Sequence, residues 1–166
     1  ALHQVFERAN VTASDKLIFL GDYVDGWSQS PQVLDFLIQL KTTNDCVFIR
    51  GNHDVLVLDW LTHNDKNIDK EMWFKHGGEA TALAYENVNK VVKKIHIDFL
   101  QELEDYYLDE HNRLFIHAGF TNMNGVAYEF FPELFYWYRT LWETALALDK
   151  NMKTNDLFYP KRFTLY

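Results

Sequence analysis

Leu17-Ile18-Phe19-Leu20-Gly21-Asp22-Tyr23-Val24-Asp25-Gly26 opens with four apolar residues and breaks abruptly into glycine and two carboxylates. A short continuous apolar run that stops at glycine reads as a strand buried on both faces. The same grammar recurs at Cys46-Val47-Phe48-Ile49, which ends in Arg50-Gly51-Asn52-His53-Asp54. It recurs again at Arg113 to Ile116, which runs into His117-Ala118-Gly119. Three strands thus each end in a polar, glycine-containing turn.

Helical spacing fills the chain between and around these runs. Residues 2–9 read as a short amphipathic helix. Ser30-Pro31 supplies an N-cap and a first-turn proline, and Val33, Leu34, Leu37, Ile38 and Leu40 follow on one face. Val55 to Leu61 and residues 67–75, 79–88 and 96–105 carry helical patterns, with Gly77-Gly78 as a break. Tyr106 to Leu108 pairs with the strand at 113–116 around the turn Asp109-Glu110-His111-Asn112. Pro132 to Leu148 reads as one aromatic-rich helix that packs on the core, with a second role as an active-site cap left open. Strands alternating with helices predict an α/β fold and one domain over residues 1–166.

The chain has 166 residues, a formal charge of −8 and no long Lys/Arg cluster, which argues against a duplex nucleic-acid binder. Solubility explains such a charge, and so does a site that collects divalent cations. The single cysteine, Cys46, sits in an apolar run and allows no intrachain disulfide, so a reducing, cytoplasmic setting is expected. No apolar stretch approaches the ~20 residues that span a bilayer.

Ligands of open α/β sheets bind beyond the carboxyl ends of the strands. Asp22 and Asp25 stand there, and a carboxylate offers two oxygens to one or two metals. An Asp-rich turn alone would look the same. Asn52 offers a neutral oxygen, and His53 a ligand or a proton near neutral pH. Arg50 suits a bidentate phosphate grip or a salt bridge. His117 alone would pass for a core histidine. Taken together, oxygen and imidazole donors delivered by separate strands suit Mn, Fe or Zn, and two such ions form the usual clamp for phosphoester hydrolysis.

At Gly21–Gly26, Gly51–Asp54 and His117–Gly119 the chain resembles the calcineurin-like metallophosphoesterases. It is most similar to their serine/threonine phosphoprotein phosphatase branch and its bacterial relatives, which include diadenosine tetraphosphatases. The resemblance implies two packed mixed β-sheets flanked by helices, and two divalent metal ions, manganese first among them. It implies that Asp22 bridges both metals and that Asn52 and His117 bind the second. It implies that His53 protonates the leaving oxygen while Asp25 orients its ring, and that Arg50 and Arg139 hold substrate phosphate. Arg139 stands in Trp137-Tyr138-Arg139, similar to a Trp-x-Arg element of bacterial members.

Departures also matter. The family's first block, Asp-x-His set within Gly-Asp-x-His-Gly, and its late Gly-His block do not occur in the chain, so a longer protein is expected to carry them before Ala1 and after Tyr166. Gly26 and Trp27 replace the arginine that protein phosphatases place after the second aspartate, which weakens a phosphoserine or phosphothreonine substrate. His76-Gly77-Gly78 resembles the eukaryotic His-Gly-Gly block. It lies between helices, however, and is read as a helix end. The substrate expected is a phosphoprotein, a small phosphoester or a dinucleoside polyphosphate; a non-catalytic relative that binds phosphorylated partners is the rival of another class.

Overall fold

The computed structural model describes residues 2–64, 66 and 68–147. Two parallel strands, β1 (Lys16–Phe19) and β2 (Asp45–Phe48), pair in register from Lys16 opposite Asp45 to Phe19 opposite Phe48. Helix α2 (Ser30–Leu40) is the crossover between them, the connection that a parallel pair requires. Glu104 forms a parallel bridge to Ile49, and the chain then enters the antiparallel pair β3 (Tyr106–Leu108) and β4 (Leu114–Ile116). The α/β class is as the sequence implied. Among the described residues the strands form two two-stranded sheets, one parallel and one antiparallel.

The main core lies between β2 and the helices around it. Leu34 and Leu37 of α2, Val57 of α3 (Asn52–Leu61) and Leu100 of α6 (Lys90–Gln101) are almost wholly buried there. Each such side chain stabilises the fold by roughly 1.5–3 kcal/mol relative to exposure. Phe48 stacks on Phe19 at 5.0 Å and meets Phe99 edge-on at 5.1 Å, which joins β1, β2 and α6. A smaller core of Ile116, Phe120, Val126 and Phe135 sits beyond β4. No helix among the described residues is long and apolar enough to cross a membrane.

Several boundaries differ from the sequence reading. The cap of α2 is Gln29, and Ser30 lies inside the helix. Helix α3 begins at Asn52, not at Val55, so Asn52 and His53 occupy its first turn. Helix α6 begins at Lys90 because Asn89 caps it, accepting from the amides of Val91 and Val92. The expected helix from Pro132 breaks into α7 (Leu134–Trp137) and α8 (Thr140–Ala147), with Tyr138 extended between them. Leu148 lies outside the described residues. The aromatic stretch does not pack as a core helix: Phe135 is buried, whereas Phe130 is 81% and Tyr138 58% exposed.

Candidate active site

The first two motifs leave β1 and β2 side by side. Gly21 takes φ +93° and lies so close to Gly51 that a Cβ would stand 2.6 Å from the Gly51 nitrogen. Tyr23 closes the strand ends beneath them, its hydroxyl donating to the carbonyls of Ile49 (2.8 Å) and Phe19 (3.2 Å). Burial pushes this phenol well above its ordinary pKa.

Asp54 locks the two turns together. One of its oxygens accepts from the amides of Asp22 and Gly51, both at 2.8 Å, and the other from Tyr23 at 2.9 Å. It is 1% exposed, and burial pushes its carboxyl up to about 7, against the three N–H donors that favour the anion. Within the second motif, sequence reasoning assigns Asp54 no role of its own. Its position at the third residue of α3 was the available signal, because a carboxylate there reaches back to the cap amide.

Asp22 and Asp25 both adopt left-handed backbone, at φ +59° and +72°. Non-glycine residues hold that region at a cost of about 1–3 kcal/mol and cluster at functional sites. Asp25 is fixed from several sides. Its amide donates to Thr81 (3.0 Å) and Ser30 (3.2 Å), which touch one another at 2.8 Å. Its carboxylate, 3% exposed, accepts the Nδ1–H of His53 at 2.7 Å. The Asp25 hydrogen bond raises the pKa of His53. With Nδ1 held in this way, Nε2 is the nitrogen left for proton transfer.

The expected donors Asp22, Asn52 and His117 meet. His117 Nε2 lies 3.2 Å from Asn52 Oδ1 and 3.5 Å from Asp22 Oδ2. His117 Nδ1 stands 2.6 Å from the Leu20 carbonyl, which can only accept, so Nδ1 carries the proton. A neutral ring turns its Nε2 lone pair toward two oxygens, a donor set that suits a cation between them. A divalent ion ~2.1 Å from each donor would set the donors roughly 3.0–3.4 Å apart, close to the spacing seen. These three residues therefore fit one divalent ion's share of a site. Among the described residues no group of three His, Cys, Asp or Glu side chains gathers, here or elsewhere, for the third donor of this set is Asn52.

The two arginines differ. Arg50 puts Nη1 2.6 Å from Asp105 and Nη2 2.7 Å from the Leu103 carbonyl. A substrate phosphate would have to compete with both. Arg139 is exposed, and its neighbours close on the third motif: a Cβ on Gly119 would lie 2.9 Å from the Tyr138 carbonyl and 2.2 Å from Thr140 Oγ1. His76 is not with the donors. It bonds the Met72 carbonyl at 2.8 Å, in a wide turn (Phe74–Gly78) where Gly77 leaves helical geometry at φ +108°. No sequence signal marks what that turn does: the Gly77 carbonyl accepts from the Gly26 amide at 3.1 Å, beside Asp25.

Residues 1–155 match the calcineurin-like phosphoesterase family. The chain is also 33% identical, over 110 residues, to the asymmetrical bis(5'-nucleosyl)-tetraphosphatase PrpE of Anoxybacillus flavithermus. That match covers 63% of this chain and 42% of the relative, so the chain spans well under two thirds of the relative's length. No solved structure matches it. The family typically depends on a dinuclear metal centre, and the donors, the His53–Asp25 pair and the sequence match agree that this chain belongs to the calcineurin-like phosphoesterase family.

Proposed function

We propose that the intact protein hydrolyses phosphate esters at a dinuclear metal centre, with manganese the first metal to test. The observation that carries this reading is the 2.7 Å contact of His53 with buried Asp25, set beside the Asp22–Asn52–His117 donors. Asp22, Asn52 and His117 would hold metal, and the metal pair, when bound, polarises the phosphoryl group and activates water. His53 keeps Nδ1–H on Asp25 and gives a proton from Nε2 to the leaving oxygen. Arg139, and Arg50 if it exchanges its partners, bind phosphate oxygens. The assay is release of p-nitrophenol from p-nitrophenyl phosphate by the full-length protein, with and without Mn²⁺. Metal-stimulated turnover is expected, and its absence over a range of divalent metals would sink the proposal.

A dinucleoside polyphosphate substrate is the second reading. The tetraphosphatase relative supports it. So does Trp27, 80% exposed two residues after Asp25, where a purine could stack. Diadenosine tetraphosphate and a phosphothreonine peptide, compared by kcat/KM, decide between the classes. A clear preference for the peptide would overturn this second reading.

A further inference from the structure

Trp73 ends helix α4 (Lys70–Trp73) and is 1% exposed. Its indole N–H donates to Asp25 Oδ2 at 2.7 Å. This is the same oxygen that accepts His53 Nδ1–H. The other oxygen, Asp25 Oδ1, is buried with no hydrogen-bond partner among the described residues. The carboxylate is therefore held at one atom by two donors, one of which is the group it is meant to orient.

We infer that Trp73 is a positioning residue: its indole N–H fixes the Asp25 carboxylate, so that His53 is aimed by a rigid acceptor rather than by one free to follow it. This rests on the assignment of His53 as the proton donor made above.

The surroundings of Trp73 suit that role. Its ring packs on Trp60 and Phe74 at 5.6 and 5.2 Å. A Cβ on Gly78 would stand 2.3 Å from the indole, so only glycine lets the backbone lie against the ring. The same turn grips Gly26 through the Gly77 carbonyl. Trp73 and its turn thus hold Asp25 by its carboxylate and its chain neighbour together. Without the N–H, the carboxylate would be left with His53 as its one side-chain donor. It could then rotate about χ2, and misplacement of an acid by even 1 Å can cost up to about 10²-fold in rate.

Leaving-group chemistry supplies a readout that general loosening would not reproduce. A poor leaving group such as an alkoxide needs the proton from His53, whereas 2,4-dinitrophenolate leaves without it. The measurement is kcat for the full-length Mn²⁺-loaded protein across 2,4-dinitrophenyl, p-nitrophenyl, phenyl and methyl phosphates. Trp73→Phe is expected to lower kcat about 10–10²-fold for methyl phosphate and less than ~3-fold for 2,4-dinitrophenyl phosphate, with KM and metal content unchanged. In an Asp25→Asn background the same change should add less than about 2-fold, because both act on one bond. If Trp73→Phe does not fold, Trp73→3-benzothienylalanine keeps the ring's shape without its N–H and should give the same pattern. Equal losses across the series, or wild-type rates throughout, would overturn the inference. His53→Asn is the control: if it shows no leaving-group dependence, the acid role of His53 falls first; if it does and the Trp73 variants do not, only the inference on Trp73 falls.

Discussion

Two carboxylates in this chain do the same local job with different reach. Asp54 gathers the amides of Asp22, Tyr23 and Gly51, joining segments some thirty residues apart in a fully buried position. Glu129 gathers the amides of Thr121, Asn122 and Phe130 at 2.7–3.0 Å, all within one loop, and is half-buried. The first fixes where two strand ends stand relative to each other. The second folds the loop that contains it. The regions around them follow suit. The Asp22–Asp25 and His53 side rests on the large core, with left-handed Asp22 held by Asp54 and left-handed Asp25 by Ser30 and Thr81, beside the Gly26–Gly77 bond. The side beyond His117 rests on a small core and carries exposed Phe130, Tyr138 and Trp142. Rigid placement is concentrated around Asp25 and His53, the residue proposed above as the proton donor. The more open, aromatic side suits contact with the non-reacting part of a substrate.

The largest expected effect tests the rigid side directly. His53→Asn should lower kcat by roughly 10²–10⁴-fold while metal content stays intact. Loss of metal in parallel with activity would make His53 a ligand and remove the division of labour. Next comes the pair of carboxylates. Asp54→Ala strands three amides away from water and should cost about 4 kcal/mol of unfolding free energy, whereas Glu129→Ala should cost about 1 kcal/mol, since water can replace the lost acceptor. Urea denaturation of both variants checks this, and similar values would erase the distinction between them.

The smallest difference separates two glycines with nearly the same backbone. Gly77 and Gly125 have φ of +108° and +111°. A Cβ on Gly77 would stand 2.5 Å from the Gly26 nitrogen, whereas one on Gly125 would meet nothing within 4 Å. Gly125→Ala should therefore cost only the left-handed penalty of about 1–2 kcal/mol, and Gly77→Ala about 1–2 kcal/mol more from overpacking. Thermal unfolding of both isolates the packing contribution. Equal costs would show that the turn does not hold the Asp25 loop.

Much of this was legible in the sequence. The apolar runs at 17–20 and 46–49, ending at Gly21 and at Arg50-Gly51, announced the parallel pair and the end of the sheet where the candidate site lies. The donors Asp22, Asn52 and His117 followed from their places after strands, and the structure brings them together. What was hidden depends on contacts that leave no periodic trace. Trp73 looks like any core tryptophan until its N–H is seen on Asp25. Thr81 and Ser30 look like ordinary helix residues, yet both accept the Asp25 amide. Arg50 had two readings, and the carboxylate of Asp105, fifty-five residues on, engages it in the structure. The early start of α6 could have been read from Asn89, but the exposed Val91 blurred the apolar stripe.

Asp54 has one more consequence, for folding rather than for chemistry. Parallel strands that mispair while keeping the same face inward slip by two residues, about 6.6 Å. Such a slip between β1 and β2 would leave much apolar contact in place, so hydrophobicity alone discriminates weakly against it. It would carry the amides of Asp22 and Tyr23 out of reach of Asp54, leaving a buried carboxylate short of two donors. The side chain that joins the two motifs thus also proofreads the sheet, and the register that yields a site is the one the fold prefers.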